Sequence, residues 1–567
     1  MNDEADNDDD LVPAAGQIMK SNPFQPAPRE LKLGLSGIYL LLAALLLFVH
    51  LGAYGLWSDE ADTVLFAQGV ATTGDTTARL GHNVYAYRQG ALLRDLHNRQ
   101  TPPLSYYVLA PFVSVWGNDT FAARAPFALA GLLMVILGLV WLWHSDANPA
   151  LWLAYGAATL GQVSFFLYSR QGRYYALAML ATLAVTYVYL QHRGRVVSGL
   201  LLLLAGLMLL TSQYLNFAAL VGVLAVDYAL WQRQIFRWSL RDVVLVFAPL
   251  TLFGVGLWWF WSGGGGSGNG PIDLLILAYW NLRDLHACEC VNLLLLVGSP
   301  LMWLVTRDRW LLRLPLAIGV YALITAILSP QPVASTRVAD VRYLAPLILA
   351  SIALTARWCY WLILYAHWKA LPLIALAVWT NALFLLGSWF IAPPGNLQEW
   401  ATEVGRSFRC TPFEFIREIA VPRATASRQV SDWITSHVAD GKSVWVVPGE
   451  ETYPHMAQAP HALYAWQLDL PANGQPAEQF RELPPIHFFG REPVDYMIVY
   501  GPFASDPKFV TFLDTLQNAG HGYRRTATLD VFWDDAIRPE LFWRRFRDLR
   551  DFDRAVQAVY VYERIQP

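Results

Sequence analysis

Apolar runs of membrane-crossing length, separated by short polar turns, fill the chain from about residue 33 to residue 392. A helix needs ~20 mostly apolar residues to cross the hydrocarbon core of a bilayer, which here predicts about eleven crossings. They fall near residues 33–56, 125–143, 150–168, 174–190, 197–212, 214–231, 243–261, 290–305, 314–329, 343–362 and 371–392. Pro102 to Pro111 is also apolar but too short to span, and reads as a helix at the interface with Tyr106, Tyr107 and Trp116 at headgroup level. After Pro393 the pattern changes. Val421 to Val438 has helical periodicity, and Ser443–Val447 and Tyr496–Tyr500, each followed by a Gly/Pro turn, read as buried strands. That alternation predicts βαβ units with a partly parallel sheet.

Composition excludes a soluble protein. Charged residues make up 15% of the 567, hydrophobic ones 55% and aromatic ones 14%, where a soluble chain carries about 25% charge. The expected fold is a polytopic α-helical membrane protein with a C-terminal soluble α/β domain. Its parts are an acidic head (1–32), a membrane domain (33–392) with a first outer loop (57–124), and a tail domain (393–567). The head is acidic and proline-rich, hence disordered, and lacks the basic start and cleavage site of a signal peptide. Nothing points to nucleic acid, no Gly-rich fingerprint follows either strand, and the four cysteines form no zinc pattern.

Cytoplasmic loops collect Lys and Arg. With Lys20, Arg29 and Lys32 in the cytoplasm, alternation puts Arg193, Arg195, Arg233 to Arg241, Arg307, Arg309 and Arg313 there too. The opposite loops are 57–124, 169–173, 262–289 (with the mobile, glycine-rich run 262–270) and 330–342, and the tail shares their side. The outer side therefore holds Trp57-Ser58-Asp59-Glu60-Ala61-Asp62, an acidic cluster set just after the first apolar segment. Ionisable residues at the rim of hydrocarbon are functional candidates by default. The outer loops also carry Arg99, Arg170, Arg173, Arg337 and Arg342, whose guanidinium forks match phosphate oxygens.

These motifs resemble the GT-C glycosyltransferases, in particular relatives of the protein O-mannosyltransferases and the lipid A aminoarabinose transferase. The resemblance rests on the Asp59-Glu60 pair, Pro102-Pro103-Leu104-Ser105-Tyr106-Tyr107, Asn118 to Pro126, Ser169 to Leu177, and Asp340-Val341-Arg342-Tyr343-Leu344-Ala345-Pro346. Thr101 stands where many relatives have Lys or His, and Arg170, Gln171 and Arg173 fill a turn where many have Asp.

The resemblance implies inverting transfer of a sugar from a polyprenyl-phosphate donor to a glycan, lipid or protein acceptor. The site would face the periplasm from a bacterial inner membrane. Asp59 would be the general base, with Glu60 holding the acceptor or orienting that base. Arg342, Arg173, Arg99, Arg337 and Arg170 are candidates for the donor phosphate. Asp62, His97, Gln171, Tyr106, Tyr343 and Asp340 are candidates to line the site, though Asp62 alternatively caps a helix. A divalent ion at Asp59 and Glu60 with His82 or His97 is a further possibility, without a metal-binding motif to support it. Cys288 or Cys290 is a candidate to pair with Cys410. The competing readings are an arabinosyltransferase or oligosaccharide ligase of the same superfamily, or a lipid-linked sugar flippase. A flippase predicts charges midway along helices, and the helix interiors here are nearly free of them, Asp227 lying near an end.

Overall fold

The computed structural model describes residues 26–91, 93–261, 270–329, 341–391, 408–422, 424–470, 474–532 and 556–565. Most of the acidic head and the glycine-rich run lie outside them. The first helix, α1 (Arg29–Phe48), stops before the acidic cluster. After an irregular connector, Ser58 to Asp62 open a separate helix, α2 (Ser58–Thr73), with Asp59 and Glu60 in its first turn. Carboxylates are stabilised there by the partial positive charge of the helix N-terminus, and Gly74 ends the helix in a left-handed cap at φ 81°. Two small hairpins follow, then α3 (Leu104–Trp116), the short apolar segment. It buries Tyr106, Leu109 and Val113 and exposes Tyr107, Val115 and Trp116.

The bundle continues with α4 (Thr120–His144), opened by the Asp119 side chain accepting from Phe121 N. Next come α5 (Pro149–Gly161) and α6 (Val163–Ser169), one apolar run bent by 60°. Then follow α7 (Tyr175–Gln191), α8 (Val196–Ser212), α9 (Tyr214–Leu230) and α10 (Ala248–Trp261), the last preceded by a π-helical turn, Val243–Phe247. The stretch expected to be an outer loop contains a helix, α11 (Pro271–Ala287). Asp273, Arg283 and Asp284 interrupt its apolar pattern, yet it packs inward and Asn281 donates to the Ala322 carbonyl at 3.0 Å. The rest of the bundle is α12 (Leu293–Thr306), α13 (Trp310–Leu328), α14 (Leu347–Ala366), α15 (Leu371–Trp379) and α16 (Ala382–Ile391). Among the described residues five helices are long and apolar enough to cross a membrane, six with the bent pair counted as one. The other apolar helices of this kind are 10–17 residues long.

The C-terminal region begins with α17 (Thr411–Ala420), α18 (Ala426–His437) and α19 (Thr452–Gln458), and α20 (Pro507–Asn518) follows later. Its sheet contains β1 (Ser443–Val447), β2 (Leu463–Tyr464), β3 (Tyr496–Tyr500), β4 (Tyr523–Phe532) and β5 (Val556–Arg564) in the order β2-β1-β3-β5-β4. The pairs β1–β2 and β1–β3 are parallel, while β3–β5 and β5–β4 are antiparallel, so the expected partly parallel sheet forms.

This region shares one hydrophobic core with the segment between α1 and α4. Phe66, Tyr85 and Leu109 pack in the same cluster as Val444, Tyr453 and Ile498. Polar contacts fix the seam. Gly55 N donates to Thr425 Oγ1 at 2.8 Å, Ser427 Oγ donates to the Leu56 carbonyl at 2.8 Å, and Asn83 Nδ2 donates to the Ala462 carbonyl at 2.9 Å. A Cβ on Gly55 would come within 2.2 Å of Ser427 Oγ, so only glycine allows this approach. The suggested disulfide does not form: Cys288, Cys290 and Cys410 are thiols in the described structure. An ion pair makes the link instead, with Arg409 Nη2 donating to Glu289 Oε1 at 2.5 Å and Thr411 Oγ1 to Glu289 Oε2 at 3.2 Å.

Candidate active site

The start of α2, the turn between α6 and α7, and the 3₁₀ turn Val341–Leu344 before α14 meet at Asp59. Arg342 Nη1 donates to Asp59 Oδ2, and Arg173 Nη2 lies 3.3 Å from the same oxygen. Arg173 Nη1 also donates to the Asp59 carbonyl at 2.8 Å and to Thr63 Oγ1 at 3.2 Å. Residues separated by 283 positions in sequence thus form one charged constellation. All three side chains are only part-buried, so the cluster is reached by solvent.

Glu60 points the other way. It is fully buried and bound to Arg124 of α4, Nε to Oε1 at 2.8 Å and Nη2 to Oε2 at 2.6 Å. Gly172 N donates to Oε1 at 2.8 Å. Arg124 also donates to the carbonyls of Leu51, Tyr54 and Gly55, so its five N–H groups all have acceptors. This pair fixes the α1–α2 connector and the α6–α7 turn, and so sets where Asp59 and Arg173 stand. Arg124 lies inside the Asn118–Pro126 segment but was not singled out as a site residue. A lone arginine in the first turns of an apolar helix is the signal that would have found it.

Asp62 lies one turn along α2 from Asp59. Its Oδ1 is buried without a hydrogen-bond partner, and Tyr85, Tyr106, Tyr453 and Arg173 surround it. Burial and then the neighbouring Asp59 charge push its carboxyl up to about 8. Tyr453 comes from α19, so the C-terminal region closes over this carboxyl.

The other candidates are placed less centrally. Arg170 donates to the carbonyls of Leu46, Leu47 and Val49 at 2.9–3.0 Å and so caps the end of α1 rather than facing the cluster. Arg99 forks onto Asp75 at 2.8 and 2.5 Å, beyond the far end of α2, and this draws the Asp75 carboxyl down to about 2. His97 Nε2 lies 3.8 Å from the same carboxylate. Tyr106 shares a hydrogen bond with Thr101 and accepts one from Asn98 at 3.1 Å. Gln171 is buried in the turn, and Tyr343 sits beside Arg342. Arg337 and Asp340 lie outside the described residues.

These residues do not fit a metal ion. Both Glu60 oxygens are held by Arg124, His82 pairs with the Ala462 carbonyl and His97 with the Asp95 carbonyl. Among the described residues no group of three His, Cys, Asp or Glu side chains is arranged to hold one.

The apolar bundle, the short apolar α3, an acidic helix start facing arginines from two turns, and the C-terminal sheet region define a polytopic α-helical membrane fold with an α/β region at its C-terminal end. The particular likeness is to two crystal structures of ArnT from Cupriavidus metallidurans, one apo and one bound to undecaprenyl phosphate. They share 14% and 15% identity with this chain and superpose at TM-score 0.52, each covering 93% of this chain and 97% of ArnT. No protein-family model matches the sequence, and no curated protein sequence does.

Proposed function

We propose that this protein is a polyprenyl-phosphate-sugar-dependent glycosyltransferase, working on the periplasmic face of a bacterial inner membrane and transferring to an envelope glycan, lipid or protein. The supporting observation is the Asp59 carboxylate shared between Arg173 and Arg342, on a fold whose solved neighbour binds undecaprenyl phosphate.

The arrangement suggests how the reaction proceeds. Without donor, the two guanidiniums neutralise Asp59. A lipid-phosphate sugar brings a negative phosphodiester to the same arginines, which bind phosphate oxygens better than water does. Its arrival draws them from the carboxylate and frees an Asp59 oxygen to take the proton of an acceptor hydroxyl. The acceptor oxygen bonds to the anomeric carbon as the bond from that carbon to the phosphate oxygen breaks, with inversion. Arg342 and Arg173 then hold the charge that develops on the departing polyprenyl phosphate. Donor binding precedes base activation, which protects the lipid-linked sugar from stray chemistry.

Purified protein in detergent, supplied with a panel of polyprenyl-phosphate sugars and mixed acceptors, tests this reading. Consumption of one donor, lost in Asp59→Asn with thermal stability retained, is the expected result. Equal consumption by Asp59→Asn would remove Asp59 as the base, and failure of every donor to bind would remove the transferase reading.

A further inference from the structure

A cavity of about 320 Å³ lies inside the bundle between α4, α5, α7, α9, α13 and α14. Its lining is mostly aliphatic and aromatic, and it reaches from Leu347, at the start of α14, to Arg357 in the same helix. Ten helical residues rise about 15 Å, half of the ~30 Å hydrocarbon thickness. The chamber is therefore one leaflet deep. Helix directions place its charged mouth at the end of the bundle opposite Asp59, because α4 and α7 both start near the Asp59 cluster and end beside this mouth.

The mouth is built for a charged group above an apolar chain. Arg313 of α13 forks onto Asp227 of α9 at 2.8 and 2.7 Å, and Arg357 lies 3.5 Å from Asp308. Both arginines stack on Trp310, with guanidinium carbons 4.8 and 5.9 Å from its ring centre. Trp141 completes the rim. Arg307 and Arg309 flank Asp308 in the turn before α13, so the chain around the mouth carries four arginines to two aspartates. Deeper in, the hydroxyls of Thr182 and Tyr321 are buried without partners. Isolated hydroxyls fall short of the ~2–4 polar partners that a buried water needs, so the chamber suits hydrocarbon.

We propose that this chamber binds one chain of an anionic phospholipid from the leaflet on the basic-loop side, its phosphate held at Arg357 and its tail reaching toward Leu347. Tryptophan and arginine at headgroup depth are the groups that hold such a lipid at an interface. The far end of the chamber lies against Pro346 and Leu347, directly after the 3₁₀ turn that carries Arg342. The bound chain packs the base of that turn and so supports the site from the opposite leaflet. Lipid binding here stands whether or not the transferase reading does.

Native mass spectrometry of the full-length protein, titrated with phosphatidylglycerol or with phosphatidylcholine of the same chains, tests it. The wild type should retain one phosphatidylglycerol with at least tenfold preference over phosphatidylcholine. Filling the chamber with Ala317→Trp and Ala353→Phe should abolish retention. Should that double variant misfold, Arg357→Gln leaves the chamber intact and should erase the headgroup preference. Absence of retained lipid in the wild type, retention unchanged in the filled variant, or an Arg357→Gln protein with unaltered preference would overturn the proposal. Displacement of phosphatidylglycerol by polyprenyl phosphate one-for-one would overturn it too, by giving the chamber to the carrier tail.

Discussion

Arg124 and Glu60 face each other fork to fork, with 2% and 0% of their side chains exposed. A buried ion pair of this kind is weak evidence for net stability, because desolvation offsets its attraction. Removing one partner is a different matter, since it strands the other charge. Arg124→Ala should cost about 3–5 kcal/mol. Arg124→Lys should recover little, because a single ammonium cannot replace five directed donors. Thermal unfolding in detergent checks both, and an unperturbed melting temperature for Arg124→Ala would show that the connector is held by other contacts.

Arg342 gives a prediction about substrate rather than fold. It is 30% exposed in its side chain and reaches Asp59 from a short 3₁₀ turn. Arg342→Ala should leave the melting temperature nearly unchanged and weaken donor binding roughly tenfold or more, since a charge-assisted hydrogen bond to phosphate contributes about 1.5–3 kcal/mol. Arg342→Lys should restore binding in part. Donor titration by tryptophan quenching reads the effect, and an affinity equal to the wild type's would move the phosphate site elsewhere.

Much of this architecture was legible in the sequence because a bilayer makes hydropathy nearly diagnostic of helices. The start of α8 at Val196 and the end of α9 at Leu230 lie within one residue of the expected bounds. Two kinds of feature were hidden. Helix α11 was missed because Asp273, Arg283 and Asp284 break an apolar window even when the helix still has an inward face. Charge partners were missed because pairing is tertiary. Glu60 was expected to hold the acceptor or orient the base, and its carboxylate meets Arg124; Arg170, one of the candidates for the donor phosphate, donates to the end of α1. Nothing local distinguishes an arginine aimed at a substrate from one aimed at a carbonyl. Asp59, Arg173 and Arg342 were all among the sequence candidates, and only the fold shows them meeting.

The contact from Arg409 to Glu289 is one of the ties between the C-terminal region and the bundle. The Arg409 side chain is 4% exposed and lies 2.5 Å from Glu289 and 3.7 Å from Glu414. Glu289→Gln should loosen this junction and raise protease sensitivity near residue 410. Cys410→Ser should have no effect on migration without reductant or on melting, because no disulfide is present to lose. Non-reducing electrophoresis and limited proteolysis check the pair, and a mobility shift in Cys410→Ser would restore the covalent link.

Asp62 sets a pH dependence with a definite sign. Its carboxyl titrates near 8 in the folded protein, against an ordinary value of 3.8, because burial and Asp59 disfavour its charge. Below about pH 4 both folded and unfolded states hold the proton and the residue costs nothing. Above that the unfolded chain gives up the proton while the folded one keeps it, so stability falls with rising pH. The loss levels off above pH 8, where both states are ionised. Asp62→Asn carries no such term, so its melting temperature should exceed the wild type's by a margin that grows from pH 4 to pH 8 and then stays constant. Tyr85→Phe and Tyr453→Phe keep the carboxyl and should keep the slope. Melting curves across pH 4–9 test this, and parallel profiles for wild type and Asp62→Asn would show that Asp62 is already ionised at neutral pH.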